Sequence, residues 1–249
     1  EMNFNQIRLS YVRYIGAGAV AAAGLITLIK TLPTIAAAFR ESFKSLREKK
    51  GAAGAVARTE QDLPITWVIF GSLILVGVIA FLPQLPGDGI GAKLLMGLLV
   101  IIFGFFFVTV SSRIVGIIGT SSNPVSGMTI ATLIITCVIF VALGWTGDIY
   151  APVALSVGAI VCIAAANAGN TSQDLKTGYI VGATPIYQQM GLAIGVVTSA
   201  FVIGMTVLYM HRVFGIGSAD VAAPQATLMA TLIKGLLSQN LPWGLVLVG

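Results

Sequence analysis

Six stretches of mainly apolar side chains recur along the chain, each close to the length that a helix needs to cross a bilayer. About 20 apolar residues in a helix cover the ~30 Å of hydrocarbon in a membrane. The six stretches are residues 14–39, 63–82, 92–110, 125–143, 152–168 and 190–210. This pattern predicts an all-α fold, a polytopic membrane helix bundle.

Two shorter apolar stretches follow these six. Residues 226–237 carry Lys234 and are too short to cross a membrane, so they are predicted as an interfacial or re-entrant helix. A last run opens at Leu241 and is still apolar at Gly249. We therefore expect residues 1–249 to form one transmembrane domain of about six to seven spans, and to be part of a larger protein.

Composition supports the membrane assignment. Hydrophobic residues make up 57% of the chain and charged residues only 9%, which is too little polar surface to cover a soluble globule. The formal net charge is +5, and the basic residues concentrate in the loop 40–58, namely Arg40, Lys44, Arg47, Lys49, Lys50 and Arg58. The positive-inside rule places this loop in the cytoplasm. Such a loop favours contact with anionic lipid over binding of nucleic acid.

A polar, Gly-rich segment at residues 111–127 interrupts the apolar pattern. Pro124 has no N–H group and disfavours helix at Asn123, so a helix is predicted to end before it and another to begin after it, capped by Ser122 or Asn123. Irregular backbone at membrane depth is stable only inside protein or along a water-filled cavity, so we expect this interruption to face the interior. An ordinary loop at the membrane surface is the alternative.

Side chains of this segment are candidate substrate contacts, because exposed N–H groups at a helix start attract carboxylates and the neighbouring hydroxyls and amide can bind polar groups. They are Thr120, Ser121, Ser122 and Asn123. Arg113 is a further candidate, since a guanidinium group binds a carboxylate in bidentate geometry. Its alternative role is to extend towards the membrane interface.

A second polar segment, residues 167–184, has glycines at its edges and is predicted to break or re-enter. Its candidate substrate contacts are Asn167, Asn170, Thr171 and Gln173. Asp174 is the candidate for proton coupling, because an acid inserted at membrane depth costs roughly 2.5–3.5 kcal/mol and is usually retained there for function. A cytoplasmic loop with solvated charges is the alternative.

Tyr187 and Gln188 precede the sixth apolar stretch and complete the candidate set. An aromatic ring and an amide suit the recognition of peptide groups, and they equally suit the membrane interface. The chain has no HExxH, GxSxG or Walker A motif and no paired carboxylates within one apolar stretch. We therefore expect neither an enzyme nor a bound cofactor or metal.

The polar segments and their flanks resemble the oligopeptide transporter (OPT) family, and within it the prokaryotic members related to the yellow stripe-like metal-chelate transporters. The matching segments are Tyr14-Ile-Gly-Ala-Gly-Ala-Val20 through Lys30-Thr-Leu-Pro33, Ser112-Arg-Ile-Val-Gly116, Gly119-Thr-Ser-Ser-Asn-Pro-Val-Ser-Gly-Met-Thr129, Asn167-Ala-Gly-Asn-Thr-Ser-Gln-Asp-Leu-Lys-Thr-Gly178, and Ala223-Pro-Gln-Ala226 through Pro242-Trp243-Gly244.

This resemblance implies a secondary transporter in the bacterial inner (plasma) membrane, driven by proton co-transport, that carries small peptides or peptide-like metal chelates. Its partners would be that substrate, protons, the lipid bilayer and the spans of the full-length transporter that this chain lacks. The alternative function is a channel or a non-transporting membrane scaffold, in which the polar segments line a pore or are merely loops.

Overall fold

The computed structural model describes residues 3–16, 18–19, 22–23, 26, 29–30, 32–33, 36–37, 40, 57–83, 89–147, 149–218, 221–238 and 243–249. The basic loop 40–58, apart from its two ends, lies outside the described residues. So do much of the first predicted span, 14–39, and the start of the apolar run that opens at Leu241.

The described chain is helical, and its long helices follow the predicted apolar stretches. In chain order the α-helices are α1 (Phe4–Ile7), α2 (Ile65–Phe81), α3 (Gly89–Ile118), α4 (Val125–Ala142), α5 (Tyr150–Val181), α6 (Pro185–Phe214), α7 (Pro224–Leu237) and α8 (Trp243–Val248). A π-helical turn, Arg8–Val12, follows α1, and a 3-10 turn, Arg58–Glu60, precedes α2. Among the described residues five helices, α2 to α6, are long and apolar enough to cross a membrane, which confirms the helix-bundle prediction for these spans.

Three helices, α3, α4 and α5, form the centre of the bundle. Helices α3 and α5 run parallel, because the contact of Ser111 with Ala165 is followed, further along both helices, by the contact of Ser112 with Ser172. Helix α4 returns in the opposite direction and packs mainly against α5. The largest fully buried side chains, among them Phe107 and Phe140, come mainly from these three helices. The core is therefore built where the two longest parallel helices meet.

An aromatic cluster closes the end of the bundle where α4 leads into α5. The rings of Trp145 and Tyr150 are stacked with centroids 5.3 Å apart, and Phe140 lies 5.6 Å from Trp145 and 6.1 Å from Tyr150. Aromatic pairs at such distances add to the stabilisation from burial. The cluster fixes this end of the α4–α5 connection, opposite to the end that carries the polar segments.

Helix α6 extends away from this core. None of its residues is buried among the described residues, and its apolar side chains are exposed on every side. Exposed apolar surface suits a helix in hydrocarbon, because lipid tails are as apolar as the side chains. Gly191 and Gly195 of α6 have no neighbouring atoms within 4 Å of an added Cβ, so the described chain holds no helix packed against them.

The predicted interfacial or re-entrant helix at residues 226–237 is α7. With 14 residues it covers about 21 Å at 1.5 Å per residue, which is less than a full crossing. It packs against α4 and α5 and buries Leu232, Ile233 and Leu237, while Lys234 is exposed. The guanidinium group of Arg13 donates hydrogen bonds to the Thr227 carbonyl and the Thr231 hydroxyl, which links the N-terminal part of the chain to this helix.

Candidate functional site

The first polar segment contains the predicted interruption of the helix. Helix α3 ends at Ile118, Gly119 takes a left-handed conformation with φ of +77°, and α4 begins at Val125. Glycine suits this position because a side chain is strained at positive φ. The amide of Gly119 still donates a 2.7 Å hydrogen bond to the carbonyl of Val115. The predicted end of one helix and start of another around Asn123 and Pro124 is therefore confirmed. Because α4 runs back in the opposite direction, the segment is a turn that joins two spans.

The predicted cap of the new helix is wrong. Pro124 occupies the N-cap position of α4, and no side chain donates or accepts a capping hydrogen bond there. The amide group of Asn123 donates instead to the hydroxyl of Ser111, which in turn donates a 2.5 Å hydrogen bond to the carbonyl of Ala165. Ser111 is completely buried, and a buried hydroxyl group needs such partners. Asn123 therefore bonds to the buried Ser111 and not to the start of α4.

The segment also faces the interior less than expected. Of its four candidate residues 120–123, only Asn123 is half-buried, whereas Thr120, Ser121 and Ser122 are exposed. The backbone of α5 passes closest at Gly169, where an added Cβ would lie 3.1 Å from both Asn123 Nδ2 and Ser111 Oγ. A glycine at this position therefore lets the interruption rest directly on α5.

We expect Asn123→Ala to lower the free energy of unfolding by about 0.5–1.5 kcal/mol, the net worth of a typical hydrogen bond. The bond from Ser111 to Ala165 remains in this variant, so no buried hydroxyl group is orphaned. Thermal unfolding of the purified full-length protein measures the change. Ser122→Ala removes an exposed hydroxyl from the same turn and should change the stability by less than about 0.5 kcal/mol. Equal melting temperatures for the two variants would contradict the role given to Asn123.

The second polar segment does not break the helix. Helix α5 continues without interruption through residues 167–181 and ends at Gly182, whose φ is +72°. Side chains of the segment bond back to the helix: Asn167 donates to the carbonyl of Ile163 at 3.1 Å, and Thr177 to that of Gln173 at 3.1 Å. The prediction that residues 167–184 break or re-enter is therefore wrong as far as Val181, because the polar groups find partners within helical geometry. The chain leaves the helix only at residues 182–184.

The candidate residues of this segment differ in their exposure. Asn170 and Asp174 are exposed and lie one turn apart on the same face, while Thr171 and Gln173 are half-buried. Gln173 donates a 3.3 Å hydrogen bond to the carbonyl of Gly119. The structure thus brings the two polar segments together, with the interruption after α3 lying against the polar turns of α5.

The start of α6 joins the same polar end. Gln188 donates a 3.1 Å hydrogen bond to the backbone carbonyl of Asp174, and its Oε1 is buried without a hydrogen-bond partner among the described residues. An added Cβ on Gly178 would lie 2.0 Å from that oxygen, so Gly178 serves close packing and does not end the helix. Tyr187 is 73% exposed.

Residues 58–63, before α2, form a strap that binds the turn between α5 and α6 and that the sequence did not predict. Arg58 donates to the hydroxyl of Thr184 at 3.0 Å, and the amide of Ile186 donates to the carbonyl of Gln61 at 2.9 Å. Gln189 accepts a hydrogen bond from the amide of Leu63 and donates one to Asp62. The sequence around each partner carries no signal for these hydrogen bonds, because the two partners lie about 125 residues apart. The strap connects the end of the basic loop to the polar end of the bundle.

Arg113 lies apart from the other candidates. Its side chain is exposed beside a groove of about 540 Å³ between α3 and α5, which is also lined by Thr109, Ser112, Gly116 and Ser172. Ser172 donates a 2.8 Å hydrogen bond to the carbonyl of Ser112 and thereby holds the two helices together along the groove. Asn170 and Asp174 lie on a different face of α5 from Ser172. Each is two positions from Ser172, which corresponds to a rotation of about 200° around the helix.

Comparisons with known proteins show what this chain is similar to. The family model described as OPT oligopeptide transporter protein matches residues 1–249. A curated protein of Haemophilus influenzae, named provisionally as an oligopeptide transporter, is 29% identical to this chain over 265 aligned residues. The match covers 96% of this chain and 42% of that relative, so the chain spans about two fifths of the relative's length. No solved structure gives a significant match.

Proposed function

The chain belongs to the oligopeptide transporter family, and on that premise we propose that it forms part of a proton-coupled secondary transporter in a bacterial inner membrane. Its substrates are oligopeptides or peptide-like metal chelates. The observation that carries the proposal is the meeting of the helix interruption at residues 119–124 with the polar turns of α5. Transporters use non-helical backbone beside their spans to bind substrate, because it offers N–H and C=O groups that a regular helix does not.

The proposed substrate path runs along the polar turns of α5, past both their exposed and their half-buried side chains, and past the interruption. Asn167, Asn170, Thr171 and Gln173 contribute amide and hydroxyl groups from α5, and Tyr187 and Gln188 contribute from the start of α6. The interruption contributes Thr120, Ser121, Ser122 and Asn123. Such groups both donate and accept hydrogen bonds, which suits the amide groups of a peptide backbone.

Asp174 is proposed as the proton-coupling residue, at the mouth of this path. It lies on the exposed face of α5 beyond the contact of Ser172 with Ser112, where solvent protons reach it. We place this end of the bundle in the cytoplasm because the strap beginning at Arg58 connects it to the basic loop. The peptide then leaves towards the cytoplasm past Asp174, and the proton is released there.

Uptake by the full-length protein in proteoliposomes tests this function. A labelled tripeptide should accumulate above its external concentration when the medium on the extracellular side is acidic, and a protonophore should abolish the accumulation. Liposomes without protein control for leakage. Uptake that only equilibrates the peptide, with no response to the protonophore, would contradict proton coupling and indicate a channel.

A further inference from the structure

Helix α3 carries an exposed apolar stripe that leads to Arg113. Leu94, Leu98, Ile102 and Phe105 are each between 42% and 52% exposed and recur every three or four residues, so they share one face of the helix. An exposed apolar face of this kind lies against acyl chains in a membrane. Arg113 continues the same face two turns beyond Phe105.

The depth of Arg113 follows from the length of the apolar run. The span predicted for this helix ends at residue 110, and three further residues at 1.5 Å each put the Cα of Arg113 about 5 Å beyond it. Trp67, in the first turn of α2 at the same end of the bundle, is 67% exposed, as is usual for tryptophan at a membrane interface. Arg113 therefore lies at the level of the lipid headgroups.

The groove beside Arg113 combines a cation with hydroxyl and apolar groups. Its apolar lining is Val108 and Ile117, and its hydroxyl groups are those of Thr109, Ser112 and Ser172. No described residue accepts a hydrogen bond from the guanidinium group of Arg113. The absence of a side chain at Gly116 lets α3 and α5 approach each other closely, because an added Cβ there would lie 2.8 Å from the hydroxyl of Ser172. The groove between the two helices is therefore narrow at this point.

We propose that this groove binds the headgroup of an anionic phospholipid. The phosphodiester group pairs with the guanidinium of Arg113, since arginine binds phosphate oxygens through two parallel hydrogen bonds. The acyl chains of the same lipid lie along Ile102 and Phe105. Charge complementarity selects an anionic lipid, and basic pockets between membrane helices are known sites for such headgroups. This assigns to Arg113 the interfacial role that sequence analysis left open beside a substrate contact.

Native mass spectrometry of the delipidated full-length protein measures this binding. The probes are phosphatidylglycerol and phosphatidylcholine with identical acyl chains, and glycerol phosphate without acyl chains. We expect phosphatidylglycerol to bind preferentially, and Arg113→Gln to weaken its binding about fivefold. Arg212→Gln, at an exposed arginine of α6 outside the groove, should leave it unchanged. Arg113→Lys should retain part of the affinity, because the charge remains and the bidentate geometry is lost.

Lipid binding is measured without transport, so its result tests this proposal independently of the proposed function. Equal binding of phosphatidylglycerol to wild type and Arg113→Gln would overturn the proposal, whether or not the variant raises the KM for peptide. A raised KM with unchanged lipid binding would assign Arg113 to the substrate carboxylate instead. Binding of glycerol phosphate as tight as that of the lipid would also overturn it, because the apolar stripe would then contribute nothing. Thermal unfolding of each variant verifies that it is folded.

Discussion

Replacement of Asp174 by asparagine is expected to abolish pH-driven accumulation of peptide, while exchange of peptide at equal concentrations on both sides continues. Asparagine keeps the size and much of the hydrogen bonding of the acid but cannot take up or release a proton. Coupling to one proton can concentrate a substrate roughly tenfold per unit of pH difference, since each tenfold ratio corresponds to about 1.4 kcal/mol. The accumulation ratio of the variant should therefore fall to one.

Exchange separates this effect from a folding defect. It requires an intact substrate path and a moving transporter but no net proton flow. Asp174 is exposed on α5, so its replacement should leave insertion and folding intact. Glu60→Gln is the matched control, because Glu60 is an exposed acid at the same end of the bundle. Accumulation by Asp174→Asn with the wild-type pH dependence would show that coupling resides outside this residue.

Gly158→Val is expected to destabilise the bundle by about 1–3 kcal/mol, the usual cost of overpacking a close-packed core. An added Cβ at Gly158 would lie 2.4 Å from Cδ2 of Leu133, and Leu133 is only 2% exposed. The leucine has no open space to move into, so α4 and α5 would have to separate. Thermal unfolding and the yield of folded protein measure the effect.

Gly104→Val is the matched control for this substitution. Gly104 also lies within a long helix, and an added Cβ there meets nothing within 4 Å. Both substitutions make the same change in backbone preference, so the difference between the two variants isolates the contact with Leu133. A Gly158→Val protein as stable as Gly104→Val would show that α4 and α5 are not packed at this point.

The spans that sequence analysis predicted agree with the described helices because their signal is local. An apolar run of sufficient length must be helical in a bilayer, where unpaired backbone groups are costly. The interruption after α3 is equally local, since Gly119 tolerates positive φ and Pro124 lacks an N–H group. Both features depend only on residues within a few positions of each other.

The segment at residues 167–178 shows where local signals mislead. Its glycines and polar side chains are typical of loops, yet the helix passes through them. Gly169 and Gly178 meet Asn123 and Gln188 from other elements, so their small size serves contact between elements. Such a role cannot be recognised from a single segment, because the partner lies elsewhere in the chain.

By itself, the sequence determined the membrane class, the positions of the described spans and the interruption before Pro124, since these follow from hydrophobic length and backbone chemistry. Only the tertiary structure decided which polar groups meet. The bond between Ser111 and Ala165 depends on the parallel register of α3 and α5, and that between Arg58 and Thr184 on the position of the turn after α5. Register between distant helices results from the packing of whole faces, which no short stretch of sequence encodes.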